Sequence, residues 1–160
     1  QAWDWDGVRF SFVAVPRAGP GQPLPDGNDR SCILLVEAGD RRALLTGDIG
    51  ARVEAHLLRH LAQSVDLLQA PHHGSAGSSS RAFVRTLRPA HVLVSAGFGN
   101  RYGHPHPRVL ENYRAVGATV HQTALAGALT WESQAPETVS GWRGQGPADW
   151  RTPLASTAGN

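Results

Sequence analysis

The stretch RALLTGDIG at 42–50, followed by DLLQAPHHGS at 66–75, decides the fold of this chain. Each segment begins with a short apolar run and ends in a polar turn. The first turn carries Asp48, and the second carries His72 and His73 between a proline and a glycine. Polar turns at the ends of buried strands are where layered α/β folds present metal ligands and catalytic groups. The two turns are therefore the first candidates for a functional site.

A helix is expected between the two turns, over Ala51–Ser64, because its apolar residues fall on one stripe at helical spacing. A third polar loop, GFGNRYGHPH at 97–106, follows a strand predicted at His91–Ala96. It brings His104 to the end of that strand. The order strand–Asp, strand–His, strand–His is the basis of the functional interpretation.

The remaining elements extend the same alternation of strands and helices. Two short strands are predicted within Trp3–Val15 around a turn at Asp6-Gly7, and a loop rich in glycine and proline follows over Pro16–Arg30. Further predicted elements are strands at Cys32–Glu37, Arg42–Thr46, Val65–Ala70, Thr119–Thr123 and Ala128–Trp131, and helices at Arg81–Leu87 and from Pro107 to Gly117. The hairpin ahead of Asp48 makes the predicted sheet mixed, and helices flank it, so the fold class is α/β layered.

The length of 160 residues suits one domain. We expect it to span 1–133, with a loosely structured tail over 134–160 that lacks periodicity. No apolar run approaches the roughly 18 residues that a membrane helix needs, no signal peptide is visible, and the abrupt start at Gln1 favours a segment of a longer protein. The lone Cys32 excludes an internal disulfide and is expected to be buried.

The formal net charge is +2, and all 15 basic residues are arginine. A weak positive balance is compatible with a nucleic-acid substrate, and arginine suits phosphate. The absence of lysine, together with abundant alanine, glycine and proline, is nevertheless better explained by codon usage. Composition alone therefore does not identify a nucleic-acid partner.

Each candidate residue also has an ordinary structural interpretation. Asp48 alone suits a turn that bonds nearby amides. His72 and His73 point in different directions, so one can ligate metal or touch substrate while the other packs. Ser75 and the amides that follow can hold a phosphate oxygen at a helix start, and Asn100 and Arg101 beside His104 are good phosphate partners. Ser31 joins this set of expected substrate-binding residues.

Other histidines are interpreted as structural. His56 and His60 lie four residues apart on one side of the predicted helix, but no glutamate stands beside His56 as in zincin metalloproteases. They are read as surface residues. His91 lies at the start of its strand, at the opposite end from the three loops, and is also read as structural.

Three motifs taken together resemble one family. LLTGD at 44–48, APHHGS at 70–75 and SAGFGNRYGHP at 95–105 are similar to the metallo-β-lactamase superfamily. More narrowly, they resemble the C-terminal hydrolase-like domain of the ComEC/Rec2 competence proteins, which form the inner-membrane channel for DNA uptake in natural transformation. NDRSC at 28–32 fits the same pattern.

The resemblance implies a metallo-β-lactamase-like αββα sandwich with two divalent metal ions, zinc or manganese. Asp48 would bridge the two metals, and the further downstream ligand would be His104 or one of the His72–His73 pair. The metal set is taken as Asp48, His73 and His104, and the catalytic set as Asp48, His72 and His73. The implied reaction is phosphodiester hydrolysis, with degradation of the DNA strand that is not imported.

One departure from the superfamily is large. Its His-x-His-x-Asp-His loop supplies most metal ligands, and no such string or any histidine precedes Asp48 here. The chain is therefore interpreted as the C-terminal half of the sandwich, or as a degenerate site in the parent protein. Either way, weak or absent metal binding and negligible nuclease activity are expected of the isolated chain.

Three functions stay open at this point. The first is part of a metal-dependent nuclease domain acting on single-stranded DNA. The second is a non-catalytic module that binds DNA or braces the channel, and the third, weaker one is a small-molecule hydrolase. The expected partners are DNA and the rest of the parent membrane channel. An exposed sheet face also predicts a homodimer of the isolated chain. The parent would lie in the inner membrane, with this segment a soluble domain on the periplasmic or extracellular face.

Overall fold

The computed structural model describes residues 1–13, 27–61 and 63–144. Nine strands lie in these ranges. They are β1 (Ala2–Trp5), β2 (Val8–Val13), β3 (Ile33–Ala38), β4 (Arg41–Leu45), β5 (Leu67–Gln69), β6 (His91–Val94), β7 (Thr119–Gln122), β8 (Leu129–Trp131) and β9 (Val139–Gly141). The helices of the same ranges are α1 (Ala51–Leu57), α2 (Arg81–Leu87), α3 (Pro107–Arg114) and α4 (Thr123–Ala126). Short 3₁₀ turns occupy Asn28–Arg30, Pro71–Gly74 and Trp142–Gly144.

The main sheet is mixed, as the sequence predicts. Its seven strands lie in the order β1-β2-β3-β4-β5-β6-β7. The first four strands pair antiparallel in chain order, with tight turns between β1 and β2 and between β3 and β4, and β4 to β7 pair parallel through helical crossovers. The carboxyl ends of β4, β5 and β6 therefore meet at one edge of the sheet, and the three polar loops follow those ends.

The hydrophobic core lies between one face of the sheet and helices α1 to α3. Because right-handed crossovers link neighbouring parallel strands in sequence, the helices lie on the same face. Leu44, Leu68 and Val92 from successive strands are fully buried there, together with Leu57 of α1 and Phe83 of α2. This packing fixes the strand ends that carry the polar loops.

The opposite face of the sheet is apolar and partly open to solvent. The strand register aligns Phe12 with Leu34 and Leu34 with Leu45, and Phe12 and Leu45 are 42% and 39% exposed. Trp3 stacks on Phe10 of the next strand with ring centroids 5.1 Å apart. The expectation of an exposed apolar sheet face is confirmed for the described residues, and the homodimer drawn from it stays a prediction.

Several predicted boundaries shift. The first helix ends at Leu57 and not at Ser64, because the chain turns through a tight bend and returns Leu61 and Val65 to the core. Cys32 precedes β3 and is exposed, so the prediction of a buried cysteine is wrong. Helix α2 coincides with its prediction.

The chain beyond Gln134 also differs from its prediction over its first part. Strand β9 pairs antiparallel with β8, so the residues up to 144 are not a structureless tail. The pairing could not be foreseen because β9 is only three residues long and has no periodicity. Most of the predicted loop at 16–30 and the remainder of the tail at 145–160 lie outside the described residues. The domain boundary at 133 stays a prediction.

Candidate metal and phosphodiester site

The turn after β4 holds Asp48 by contacts from two other parts of the chain. Gln69 at the end of β5 accepts hydrogen bonds from the amides of Thr46 and Gly47, each at 3.0 Å, through its side-chain oxygen. The amide of Asp48 donates to the Ser31 hydroxyl at 3.0 Å. These bonds occupy the turn's own amides, so the Asp48 carboxylate is left to project from the sheet edge.

The turn after β5 forces two histidines into an uncommon backbone conformation. His72 and His73 have φ values of 49° and 56°, in the left-handed region that β-carbons disfavour. Gly74 follows at φ +79°, and a β-carbon there would lie 2.7 Å from Pro105 of the third loop. Non-glycine residues held this way cost about 1–3 kcal/mol each and occur often at functional sites. This backbone conformation places the two neighbouring imidazoles at the edge of the sheet.

The structure brings the predicted acid and histidines together. His73 Nε2 lies 3.5 Å from a carboxylate oxygen of Asp48, and both side chains are partly exposed. The ring of His72 lies 6.3 Å from that of His73 and 6.1 Å from that of His104, between centroids. The three loops therefore converge at one edge of the sheet, as their positions in the sequence predict.

His73 has the hydrogen bonding expected of a metal ligand or a base. Its Nδ1 lies 2.7 Å from the backbone carbonyl of Ser95, so Nδ1 carries the proton and donates it. That bond fixes the tautomer in which Nε2, the atom facing Asp48, has a free lone pair. Histidines that bind metals commonly have this arrangement, with the second ring nitrogen held by a carbonyl or carboxylate.

His104 is the second imidazole with an open coordination or proton-accepting position. Its Nδ1 is buried and has no hydrogen-bond partner among the described residues. Burial lowers the pKa of the His104 imidazole below its ordinary value, and His72 and His73 nearby lower it further. The ring is therefore neutral near pH 7. A buried ring nitrogen without a partner marks a place where a ligand is expected.

Asn100 has a different role from the one predicted. Its Oδ1 accepts from the amide of His104 at 2.9 Å, and its Nδ2 donates to the carbonyls of Gly97 and His104 at 3.0 and 2.6 Å. Both amide protons are used inside the loop, so no donor is left for a phosphate oxygen. Asn100 positions His104. Arg101 donates to the Tyr102 hydroxyl at 2.6 Å and keeps further N–H groups exposed to solvent.

The hydroxyl of Ser31 makes two hydrogen bonds within the fold, whereas the hydroxyl of Ser75 accepts one bond, so its predicted substrate contact stays a prediction. Ser31 accepts from the Asp48 amide and donates to the carbonyl of Asn28 at 2.7 Å, so it orients Asp48. The Ser75 hydroxyl accepts from the amide of Gly77 at 3.4 Å, within its own turn. Both serines stabilise the turns that present the site.

The predicted phosphate site at the start of α2 is already occupied by a side chain. The carboxylate of Glu54, which is fully buried, accepts hydrogen bonds from the amides of Ser79 and Ser80. The Ser80 hydroxyl caps the amide of Phe83. Because these two amides are bound, they are not available to a phosphate at this helix start, and the predicted role of Ser75 and the amides next to it stays a prediction. No pattern in the sequence indicates that a glutamate on α1 reaches this loop.

Two residues near the cleft were missed as site residues. Asn28 lies 3.4 Å from His72 through Nδ2 and Nε2, and Asp29 accepts from the amide of Gly50 at 3.1 Å. They line, with Asp48 and His72, a second concavity of about 350 Å³. Their only signal in the sequence was the NDRSC motif, which matched the family pattern but suggested no contact.

The remaining histidine pairs lie away from the cleft. His56 and His60 are neighbours on the outer side of α1 and the turn after it, with ring centroids 5.1 Å apart. His91 is buried in β6, and its Nδ1 lies 3.1 Å from Nε2 of His121 in β7. The structural interpretation of His91 agrees with this position.

The donors at the cleft fit part of a metal site. Asp48 offers carboxylate oxygen, and His73 and His104 offer imidazole nitrogen, a mixed set that suits zinc or manganese. Within the described ranges, however, no group of three or more histidine, cysteine, aspartate or glutamate side chains is arranged to hold a metal ion.

Comparison with known proteins places the chain among competence proteins. It is 37% identical over 131 residues to Competence protein ComA of Neisseria gonorrhoeae, an alignment that covers 81% of this chain and 18% of that protein. It is 34% identical over 129 residues to Recombination protein 2 of Haemophilus influenzae, covering 78% of this chain and 15% of that protein. With ComE operon protein 3 of Bacillus subtilis it shares 33% over 114 residues, covering 70% and 15%.

The aligned part includes most of the described residues, but the chain spans less than a fifth of the length of these relatives. No family model matches the chain. None of the helices in the described ranges is both long and apolar enough to cross a membrane. The chain belongs to the ComEC/Rec2 family of competence proteins, of which it represents one segment.

Proposed function

We propose that this segment is part of a metal-dependent phosphodiesterase domain of metallo-β-lactamase type that acts on single-stranded DNA during DNA uptake. The observation that carries the proposal is the pair formed by Asp48 and His73, 3.5 Å apart, with His73 oriented by the Ser95 carbonyl. A carboxylate beside an imidazole of fixed tautomer is a metal-binding and proton-handling arrangement.

The chain's own residues divide into three roles. Asp48 and His73 would hold metal, with His104 as the further ligand. The His72 ring lies beside the rings of His73 and His104. From this position it would contact the scissile phosphate or move a proton. Arg101 has exposed N–H groups for a phosphate oxygen. Two divalent ions, when bound, would supply a water of lowered pKa and positive charge to stabilise the leaving oxygen.

In the parent protein the reaction would degrade the DNA strand that is not imported. The parent would be an inner-membrane channel protein, with this segment on the periplasmic or extracellular face. The names of the relatives, which call two of them competence proteins or products of a competence operon, support this setting.

The experiment that tests the proposal uses two chains. One is the present 160-residue chain, and the other extends upstream by about half a domain in the parent protein. With manganese or zinc, the longer chain is expected to cleave single-stranded DNA and the present chain is not, because its ligand set is incomplete. Asp48→Ala in the longer chain should abolish turnover, whereas Asp4→Ala, at an exposed acid on β1, should not. Cleavage that survives Asp48→Ala would contradict the proposal.

A second function is favoured by one observation. The described residues hold no complete group of metal ligands, which is also expected of a non-catalytic module that binds DNA or braces the channel. The parent sequence upstream of Gln1 discriminates the two. An intact His-x-His-x-Asp-His supports the enzyme, and its absence together with inactivity of the longer chain supports the module.

A further inference from the structure

A cleft of about 610 Å³ opens beside the candidate site. His73 and His104 line one end of it, and Phe98, Tyr102 and Arg143 line its sides. None of the lining residues is acidic. The volume is in the range of small-molecule sites, and it adjoins the position where a phosphodiester would meet Asp48 and His73.

Two aromatic rings in this cleft are exposed to solvent. Phe98 is 71% exposed and Tyr102 is 65% exposed. They lie in the loop between β6 and α3, near Gly99 and Gly103, whose φ values are +61° and +66°. Their exposure next to the candidate active site makes both side chains available for contact with a ligand.

The two rings differ in how they are held. Tyr102 stacks on His104, with centroids 5.8 Å apart and planes 18° apart, and the Arg101 guanidinium carbon lies 4.8 Å from its ring centroid. These contacts fix the Tyr102 ring. Phe98 has no ring partner among the described residues, so its face is free. It is the surface on which a planar ligand can stack.

Two arginine side chains contribute positive charge to the cleft. Arg143 donates from Nη1 to the carbonyl of Ala124 at 2.7 Å, which anchors the guanidinium at the cleft wall. Arg101 adds exposed positive charge next to Tyr102. Aromatic faces that stack bases, combined with arginine that pairs with the backbone, are the features by which proteins bind single-stranded nucleic acid without sequence preference.

We propose that this cleft binds a nucleobase of a single strand, stacked on Phe98, beside the phosphodiester at the candidate site. The inference rests on the proposed function for its substrate and goes further in naming the base as a recognised group. A base in a duplex is stacked on both faces and cannot reach Phe98. The cleft therefore selects single-stranded over duplex DNA.

The test measures binding and not cleavage. Fluorescein-labelled deoxythymidine decamers, intact or with abasic positions, and the matching duplex are titrated with the 160-residue chain in EDTA, followed by fluorescence anisotropy. Stacking contributes about 1–3 kcal/mol per base, so Phe98→Ala is expected to weaken binding of the intact single strand about fivefold to a hundredfold. Trp5→Ala, which removes a ring 73% exposed on β1, is the matched control and should change nothing.

The intact strand should also bind more tightly than the abasic strand and the duplex, and Phe98→Ala should remove the difference between intact and abasic strands. Equal binding of intact and abasic strands by the wild-type chain, or an unchanged affinity in Phe98→Ala, would overturn the proposal. Its failure is separable from failure of the nuclease proposal, because the binding assay contains no metal. Cleavage that depends on Asp48 can stand without the stacking site, and the stacking site can stand without cleavage.

Discussion

Gly47 is the residue on which the position of Asp48 depends most directly. Its φ of +58° disfavours a β-carbon, and a β-carbon there would lie 2.7 Å from Cβ and 3.0 Å from Oγ of Ser31. Gly47→Ala is therefore expected to reduce the free energy of unfolding by about 2–4 kcal/mol, from backbone strain and overlap together.

The control for this prediction is Gly39→Ala. Gly39 has a similar φ of +61°, but no atom lies within 4 Å of the added methyl group. Gly39→Ala should reduce the free energy of unfolding by about 1–2 kcal/mol, because only the backbone conformation is strained. Urea denaturation of both variants gives the comparison. Equal losses would show that Ser31 does not brace the Asp48 turn.

At the scale of residues, the sequence predicted which side chains lie together at the candidate site better than it predicted the hydrogen-bond partners of the residues around them. Asp48, His73 and His104 were recognisable because each follows an apolar run that must become a strand. Asn100 and Ser31 were assigned to substrate because their chemistry suits phosphate. Their donors and acceptors are used by backbone groups that only the folded loops bring near, so local sequence could not indicate this.

At the scale of elements, the pairing of β6 with β7 predicts a dependence of stability on pH. Burial lowers the pKa of His121 below its ordinary value of 6.5, and the neighbouring His91 on β6 lowers this pKa further. Below pH 6.5 the unfolded chain therefore binds a proton at His121 more readily than the folded chain. The stability is fully present above pH 6.5 and declines as the pH falls toward the lowered pKa.

Urea denaturation between pH 7.5 and pH 5 tests this. The wild-type chain should lose stability over that range, and His121→Gln should lose less, because one group of depressed pKa has been removed. Thr119→Ser, at an exposed position of β7 that does not titrate, is the matched control and should keep the wild-type dependence of stability on pH. A slope in His121→Gln as steep as in the wild type would contradict the assignment.

Element boundaries were predictable where local signals decide them. Helix α2 begins after the Ser80 cap and ends before Pro89, and both signals are in the sequence. Helix α1 is shorter than its apolar stripe, because Leu61 reaches the core from a turn. The hydrogen bonds from the amides at the start of α2 to the Glu54 carboxylate were not predictable either, since Glu54 belongs to α1.

At the scale of the whole molecule, the sheet is covered by helices on one face and presents apolar residues on the other. The hairpin ahead of Asp48 predicted the mixed sheet, and the interpretation of the chain as half of an αββα sandwich predicted the open face. We propose that the turns after β4, β5 and β6 form one site that accepts a cation.

The most direct test is paramagnetic broadening of the histidine ring signals in NMR spectra of the chain titrated with Mn²⁺. Because broadening detects weak binding, an incomplete ligand set still gives a readout. The signals of His73 and His104 are expected to broaden first, those of His56, His60, His91 and His121 later, and Asp48→Ala should remove the difference. First broadening at His56 and His60, no selective broadening at all, or a pattern unchanged by Asp48→Ala would contradict the account.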